Sequence, residues 1–191
     1  KYVDGYFRPG LFRTLSYGDT DDAMARMERD YALDALGIEQ TDAVHDFTQV
    51  QWYPKGVSRT HEVTAEHDDS AVVMTYMGEP GIASAARWQL LAELLGQPFF
   101  NDLRTQQQLG YWVSLWASQS LRVPGIELVV QSSVKGPSVL IDRVDAFLGD
   151  SPTLLTKMDP SAFATARDAL VASYREPTST FDEQWSRIRG P

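Results

Sequence analysis

Between Trp88 and Ser133 the spacing of apolar residues switches from that of a helix to that of a strand, which calls for a fold that packs both together. Trp88, Leu91, Ala92 and Leu95 fall on one helical stripe, whereas "YWVSLWAS" (111–118) and "GIELVVQSS" (125–133) read as a strand pair around a Pro124-Gly125 turn. "GQP" (96–98) is expected to break the helix, with a second helical piece restarting near Pro98. Upstream, "FTQVQWY" (47–53), "VSRTHEVTAE" (57–66) and "AVVMTYM" (71–77) are three candidate strands. The short acidic turn "HDDS" between the last two predicts a β-hairpin.

The flanks are mostly helical. After a short strand "LFRTLSYG" (11–18), Thr20 is the expected N-cap of a helix striped by Met24, Met27, Tyr31 and Ala35 and stopped by Gly37. Leu140, Val144, Phe147 and Leu148 predict another amphipathic helix. Asp159-Pro160 then marks a helix start, with Phe163, Ala166, Leu170 and Tyr174 as its expected buried face and Pro177 as its end. The expected fold is α+β, a largely antiparallel sheet with helices packed on one face, as a single domain over residues 1–191.

Composition narrows the function classes. A net charge of −9, with the basic residues scattered, would repel a polyanion and argues against nucleic acid as a partner. The absence of cysteine excludes thiol catalysis, disulfides and thiolate metal sites. The longest apolar stretch, "IASAARWQLLAELLG", is interrupted by Arg87, Gln89 and Glu93, so no membrane span is expected. The chain begins with Lys1 and no signal-like segment follows, so it is expected to be a piece of a longer protein.

"HEVTAEH" (61–67) has the composition of a zinc-protease motif but not its spacing. The zinc-binding pairs in HExxH and HxxEH put two histidines four apart, and His61 and His67 are six apart. On a helix they would face different directions, and on a strand they would lie about 20 Å apart. Neither arrangement shares an ion, and His45 sits in an expected loop without an assignable partner.

The informative stretch is "PFFNDLRTQQQLGYWV" (98–113). Phe100, Arg104 and Tyr111 are four and seven residues apart, and residues seven apart on a helix return to within about 20° of one direction. If the helix runs through Leu109 or unwinds slightly at Gly110, a guanidinium fork and a phenol project from one side. Such a pair suits a peptide carbonyl, or the oxyanion it becomes under attack, with the amides of Gln107 and Gln108 nearby. On the residues alone, a solvated arginine and a tyrosine beside a strand account for the same pattern.

"FFNDLRTQQQLGYWV" resembles the C-terminal-domain signature of the insulinase/pitrilysin family of inverted-motif zinc metalloproteases. That signature is a leucine-arginine-threonine run followed after a short gap by leucine-glycine-tyrosine, here Leu103-Arg104-Thr105 and Leu109-Gly110-Tyr111. "GIELVVQSS" resembles the strand that follows and "RVDAFL" (143–148) the next helix. The likeness is specific from Ser70 to Glu176 and vaguer from Leu11 to Glu66.

The resemblance implies an insulinase/mitochondrial processing peptidase-like domain, one of four that pair into two bowl-shaped halves around a chamber. Zinc and the glutamate base would belong to the N-terminal half, and this domain would hold no metal. Arg104 would hold a substrate carbonyl, Tyr111 would donate to the scissile carbonyl or its tetrahedral intermediate, and Phe100 would line the same wall. The substrates would be peptides. The partner would be the zinc-bearing half of the same protein, or a separate subunit in a two-chain peptidase; a scaffold domain with a disused pocket is the further alternative. Lacking HxxEH, this chain alone is expected to be inactive. Bacterial relatives favour a periplasmic over a cytoplasmic location. The resemblance also implies a final helix beyond "WSRIRGP", so the given chain is expected to expose apolar surface and self-associate. Light scattering on the isolated chain should show a mass that rises with concentration; a clean monomer across a wide range argues against this.

Overall fold

The computed structural model describes residues 12, 14–39, 50–51, 53, 55–64, 66–177 and 180–189. In chain order its elements are α1 (Asp22–Leu36), β1 (Ser70–Met77), α2 (Ile82–Phe100) continued by a π turn (Asn101–Gln106), β2 (Trp112–Ser120), β3 (Val123–Ser132), α3 (Pro137–Thr156), α4 (Pro160–Arg175) and α5 (Phe181–Arg189). The chain divides into two compact units, residues 1–49 with 179–190, and residues 50–178.

In the first unit α1 is capped one residue later than expected. The Asp21 carboxylate, not Thr20, accepts the Met24 N–H at 2.8 Å, and Gly37 closes the helix in the left-handed conformation at φ 61°. A charged cap satisfies the free donor and the helix dipole together. The Met24, Met27, Tyr31 and Ala35 stripe forms as spaced but is exposed, and no residue of α1 is buried. The Tyr17 and Phe181 rings meet at 5.1 Å. The described residues of "LFRTLSYG" carry no strand.

The second unit is an antiparallel sheet of three strands in the order β1-β3-β2. Its register builds apolar rows across the strands: Val72–Val130–Val113, Met74–Leu128–Leu115 and Tyr76–Ile126–Ala117. Because strand side chains alternate, these rows share one face, and α2 and α3 cover it with Ala92, Leu95, Phe99, Leu140, Val144 and Phe147. Phe99 and Phe147 meet edge to face at 5.1 Å. The expected α+β architecture is therefore present, with both helices on one side of the sheet.

Several local expectations are overturned. "VSRTHEVTAE" forms no strand in its described residues, and β1 pairs with β3, not with that segment. Of "FTQVQWY" only residues 50, 51 and 53 are described, and they carry no strand; His45 lies outside the described residues. "GQP" does not break α2, which runs through Pro98. An interior proline costs about 3 kcal/mol. Leu95, Phe99 and Leu103 around it are fully buried and contribute about 1.5–3 kcal/mol each, so packing outweighs the break.

The β2–β3 hairpin turns at Leu121-Arg122, with Pro124-Gly125 inside β3. Gly125 is required there by close approach, since a Cβ would overlap the Tyr76 carbonyl of β1. α4 starts at Pro160 as expected, the Asp159 carboxylate accepting the Ser161 N–H at 2.8 Å. Hydrogen bonds from the Ser161 backbone and then its side chain hold that carboxyl below its ordinary range. Its expected buried face does not form: Phe163 and Tyr174 are exposed and no residue of α4 is buried, though the Tyr174 hydroxyl donates to Gln89 of α2. Helix α4 ends before Pro177, with Glu176 extended as a residue preceding proline should be.

The hairpin turn carries a testable strain. Leu121 and Arg122 have φ of 45° and 70°, a left-handed conformation that costs a non-glycine residue about 1–2 kcal/mol. Arg122→Gly should therefore stabilise the fold by about 0.5–1 kcal/mol after glycine's own entropy is allowed for. A urea midpoint that does not rise means that the turn is unstrained.

Candidate functional site

The end of α2 is built by two buried leucines. Leu103 and Leu109 are both in the core, yet residues six apart on an α-helix lie about 240° apart. The chain resolves this by widening and then stopping. Gln107 N–H donates five residues back to the Asp102 carbonyl at 2.9 Å, and Leu109 N–H donates six back to the Leu103 carbonyl at 3.0 Å. Gln108 is left-handed at φ 52°, and the Gln107 amide donates to the Asp102 carboxylate at 3.1 Å. This closure is a helix C-cap wider than the usual form, as π turns near functional residues often are.

Arg104 directly follows the first leucine and Gly110 the second, and the two anchors bring these together. Arg104 Nη1 donates to the carbonyl of Gly110 at 2.7 Å, so the guanidinium is fastened to the residue immediately before Tyr111. The helix therefore does not run on to Leu109; Arg104 is tied to the backbone beside Tyr111 by a carbonyl, not by helical periodicity. Phe100, one helical turn before Arg104, lies under the guanidinium at 5.8 Å. Tyr111 is 67% exposed and Phe100 37%. The three predicted site residues thus occupy one corner of the second unit.

Two further residues at this corner escaped sequence reasoning. The Tyr111 hydroxyl lies 3.5 Å from Gln131 Oε1, and Gln131 Nε2 donates to the Asp69 carboxylate at 2.8 Å. Gln131 stands between buried Val130 and Ser132 on β3, so strand alternation alone marks it as facing away from the core. His67 Nδ1 accepts the Asp69 N–H at 3.0 Å, which gives the second histidine of "HEVTAEH" a structural partner in a turn. Among the described residues no group of three or more His, Asp or Glu could hold a metal ion. A concavity along α4, lined by Asp168, Val171, Ala172 and Arg175, includes none of the corner residues. Tyr76 of β1 is held above its ordinary value, first by burial and then by the nearby Asp145 carboxylate.

Residues 90–189, which include Phe100, Arg104, Tyr111 and Gln131, match the family described as PQQ synthase PqqF-like, C-terminal lobe domain 4. The chain belongs to the C-terminal-lobe domains of the insulinase/pitrilysin peptidase family. It is 32% identical over 151 residues to a nardilysin-like protein of Arabidopsis thaliana, covering 73% of this chain and 15% of that protein. It is 33% identical over 129 residues to protease 3 of Salmonella typhimurium, covering 66% of this chain and 13% of the relative. The crystal structure of pitrilysin superposes with a TM-score of 0.66 over 88% of this chain and 18% of its own, at 24% identity, which supports the fold. The chain therefore spans a small fraction of the length of these insulinase-family relatives.

Gly110 has a physical reason to be glycine here. A Cβ on Gly110 would overlap the Gln131 carbonyl and come within 3.1 Å of the Ser132 Cα, both rigid backbone of the central strand. Gly149, by contrast, has nothing within 4 Å of an added Cβ. Gly110→Ala should destabilise the fold by about 1–3 kcal/mol or more, whereas Gly149→Ala, in a helix, should be neutral or stabilising. Denaturant unfolding of both variants checks this, and equal midpoints would mean that the strand can move aside.

Proposed function

We propose that this chain is the substrate-binding C-terminal domain of a zinc metalloendopeptidase, with Arg104 and Tyr111 gripping the peptide backbone inside its chamber. The observation that supports the reading is the fastening of Arg104 to the carbonyl preceding an exposed Tyr111. One guanidinium nitrogen is committed to that carbonyl. The group carries five N–H donors, so others remain to take a substrate carbonyl. The phenol donates its O–H to the carbonyl under attack, and that bond strengthens as negative charge develops on the oxygen. Phe100 forms an apolar floor beneath the arginine, restricting where its fork can swing.

The catalytic zinc would be supplied by another part of the full-length enzyme, since the described residues of this chain do not fit a metal. Where it is bound, it supplies the hydrolytic chemistry. This chain's residues bind, orient and stabilise charge, so on its own the chain is inactive. Tyr111→Phe in the full-length peptidase should lower kcat for peptides about 10- to 1000-fold with a smaller change in KM, the range for losing one oxyanion donor. Turnover equal to that of the unaltered enzyme would remove Tyr111 from the mechanism.

A further inference from the structure

A polar row crosses one end of the sheet on the face turned away from the core. Asp69 lies just before β1, Gln131 is on the central strand opposite Ala71 and Trp112, and Tyr111 lies just before β2. We propose that Asp69 and Gln131 are positioning residues that set the direction of the Tyr111 O–H; this rests on the reading of Tyr111 as donor to the substrate carbonyl.

The chemistry of the row fixes its polarity. An ionised carboxylate only accepts, so Asp69 must take the amide N–H of Gln131. That choice leaves the Gln131 carbonyl oxygen toward Tyr111, and a carbonyl oxygen can only accept. The phenol is then held as a donor, its proton directed over the open face of the sheet. With the amide reversed, Tyr111 would accept from the amide nitrogen and its proton would point elsewhere. Asp69 is itself held by its backbone N–H bond to His67 Nδ1, and the Gln131 backbone is pressed against Gly110, so both ends of the row are anchored.

The Tyr111–Gln131 contact is weak by design of its length. At 3.5 Å it is well beyond the 2.5–3.0 Å of a full O–H···O bond. The hydroxyl is thus steered without being sequestered, and a substrate carbonyl at normal distance accepts its hydrogen bond without displacing a strong one.

The test is steady-state cleavage of an internally quenched peptide by the full-length enzyme. Asp69→Ala and Gln131→Leu should each lower kcat about 3- to 10-fold with KM little changed, the scale of one hydrogen bond's contribution. In a Tyr111→Phe background neither should lower it further, because no hydroxyl proton remains to direct. A merely structural role would reduce activity equally in both backgrounds, and that result overturns the proposal, as does full activity of both single variants. If Gln131→Leu disturbs β3, Asp69→Ala, in a partly exposed turn, carries the comparison alone. Unchanged turnover of Tyr111→Phe overturns the parent reading and this one together. A loss in Tyr111→Phe with none in the other two variants overturns this one only.

Discussion

Two leucines must be buried on the same side while the chain passes from helix into strand, and the corner around them follows from that demand. Leu103 ends the buried stripe of α2, and Leu109 begins the approach to β2. A regular α-helix could not face both to the core, so the backbone opens into a π turn and closes with Gln108 left-handed. Burying the pair is worth about 3–6 kcal/mol at the usual scale for leucine. That exceeds the 1–2 kcal/mol cost of one left-handed glutamine. Arg104 and Gly110, each one residue past an anchor, are carried into contact as a result.

The sheet that receives this corner has unequal faces. Its core face is closed by α2 and α3, whereas the opposite face presents Val73 and Trp112 exposed, with Trp116, Glu127 and Gln131 partly so. Polar and aromatic residues interleave there, which suits a surface that contacts a polypeptide more than one permanently packed against another layer. The polar row of Asp69, Gln131 and Tyr111 runs along the end of this same face.

The parts legible in the sequence were those in which local signals and burial agree. The α3 stripe, the Asp159-Pro160 start and strands at 71–77, 111–118 and 125–133 follow from local pattern and capping, and the elements appear close to those ranges. Where the two conflict, burial wins. Pro98 stays inside α2 because fully buried Leu95, Phe99 and Leu103 hold the helix together. Pro124-Gly125 resembles a turn, yet the hairpin turns at Leu121-Arg122, whose side chains give no warning of a left-handed backbone. Pro124 is tolerated because it lies near the start of β3, beyond the last β1 pair. At the candidate site helical spacing is not what brings Arg104 toward Tyr111, since the link runs through the Gly110 carbonyl. Gln131 and Asp69 could not be found from spacing, being 62 residues apart.

A corner of this kind bears on binding through preorganisation. A donor aimed at developing charge helps most when it does not have to be ordered during the reaction. Arginine and tyrosine side chains on a free loop would lose rotamer entropy on gripping a substrate, about 0.5–1.5 kcal/mol for each side chain immobilised. Here the Arg104 fork is already bonded to Gly110 and seated on Phe100, and the Tyr111 backbone is fixed by two buried neighbours, Leu109 and Val113. The phenol hydroxyl and the uncommitted guanidinium donors keep a choice of acceptor. On the proposed reading that remaining freedom is the useful one, because these hydrogen bonds must turn to the substrate carbonyl as charge appears there.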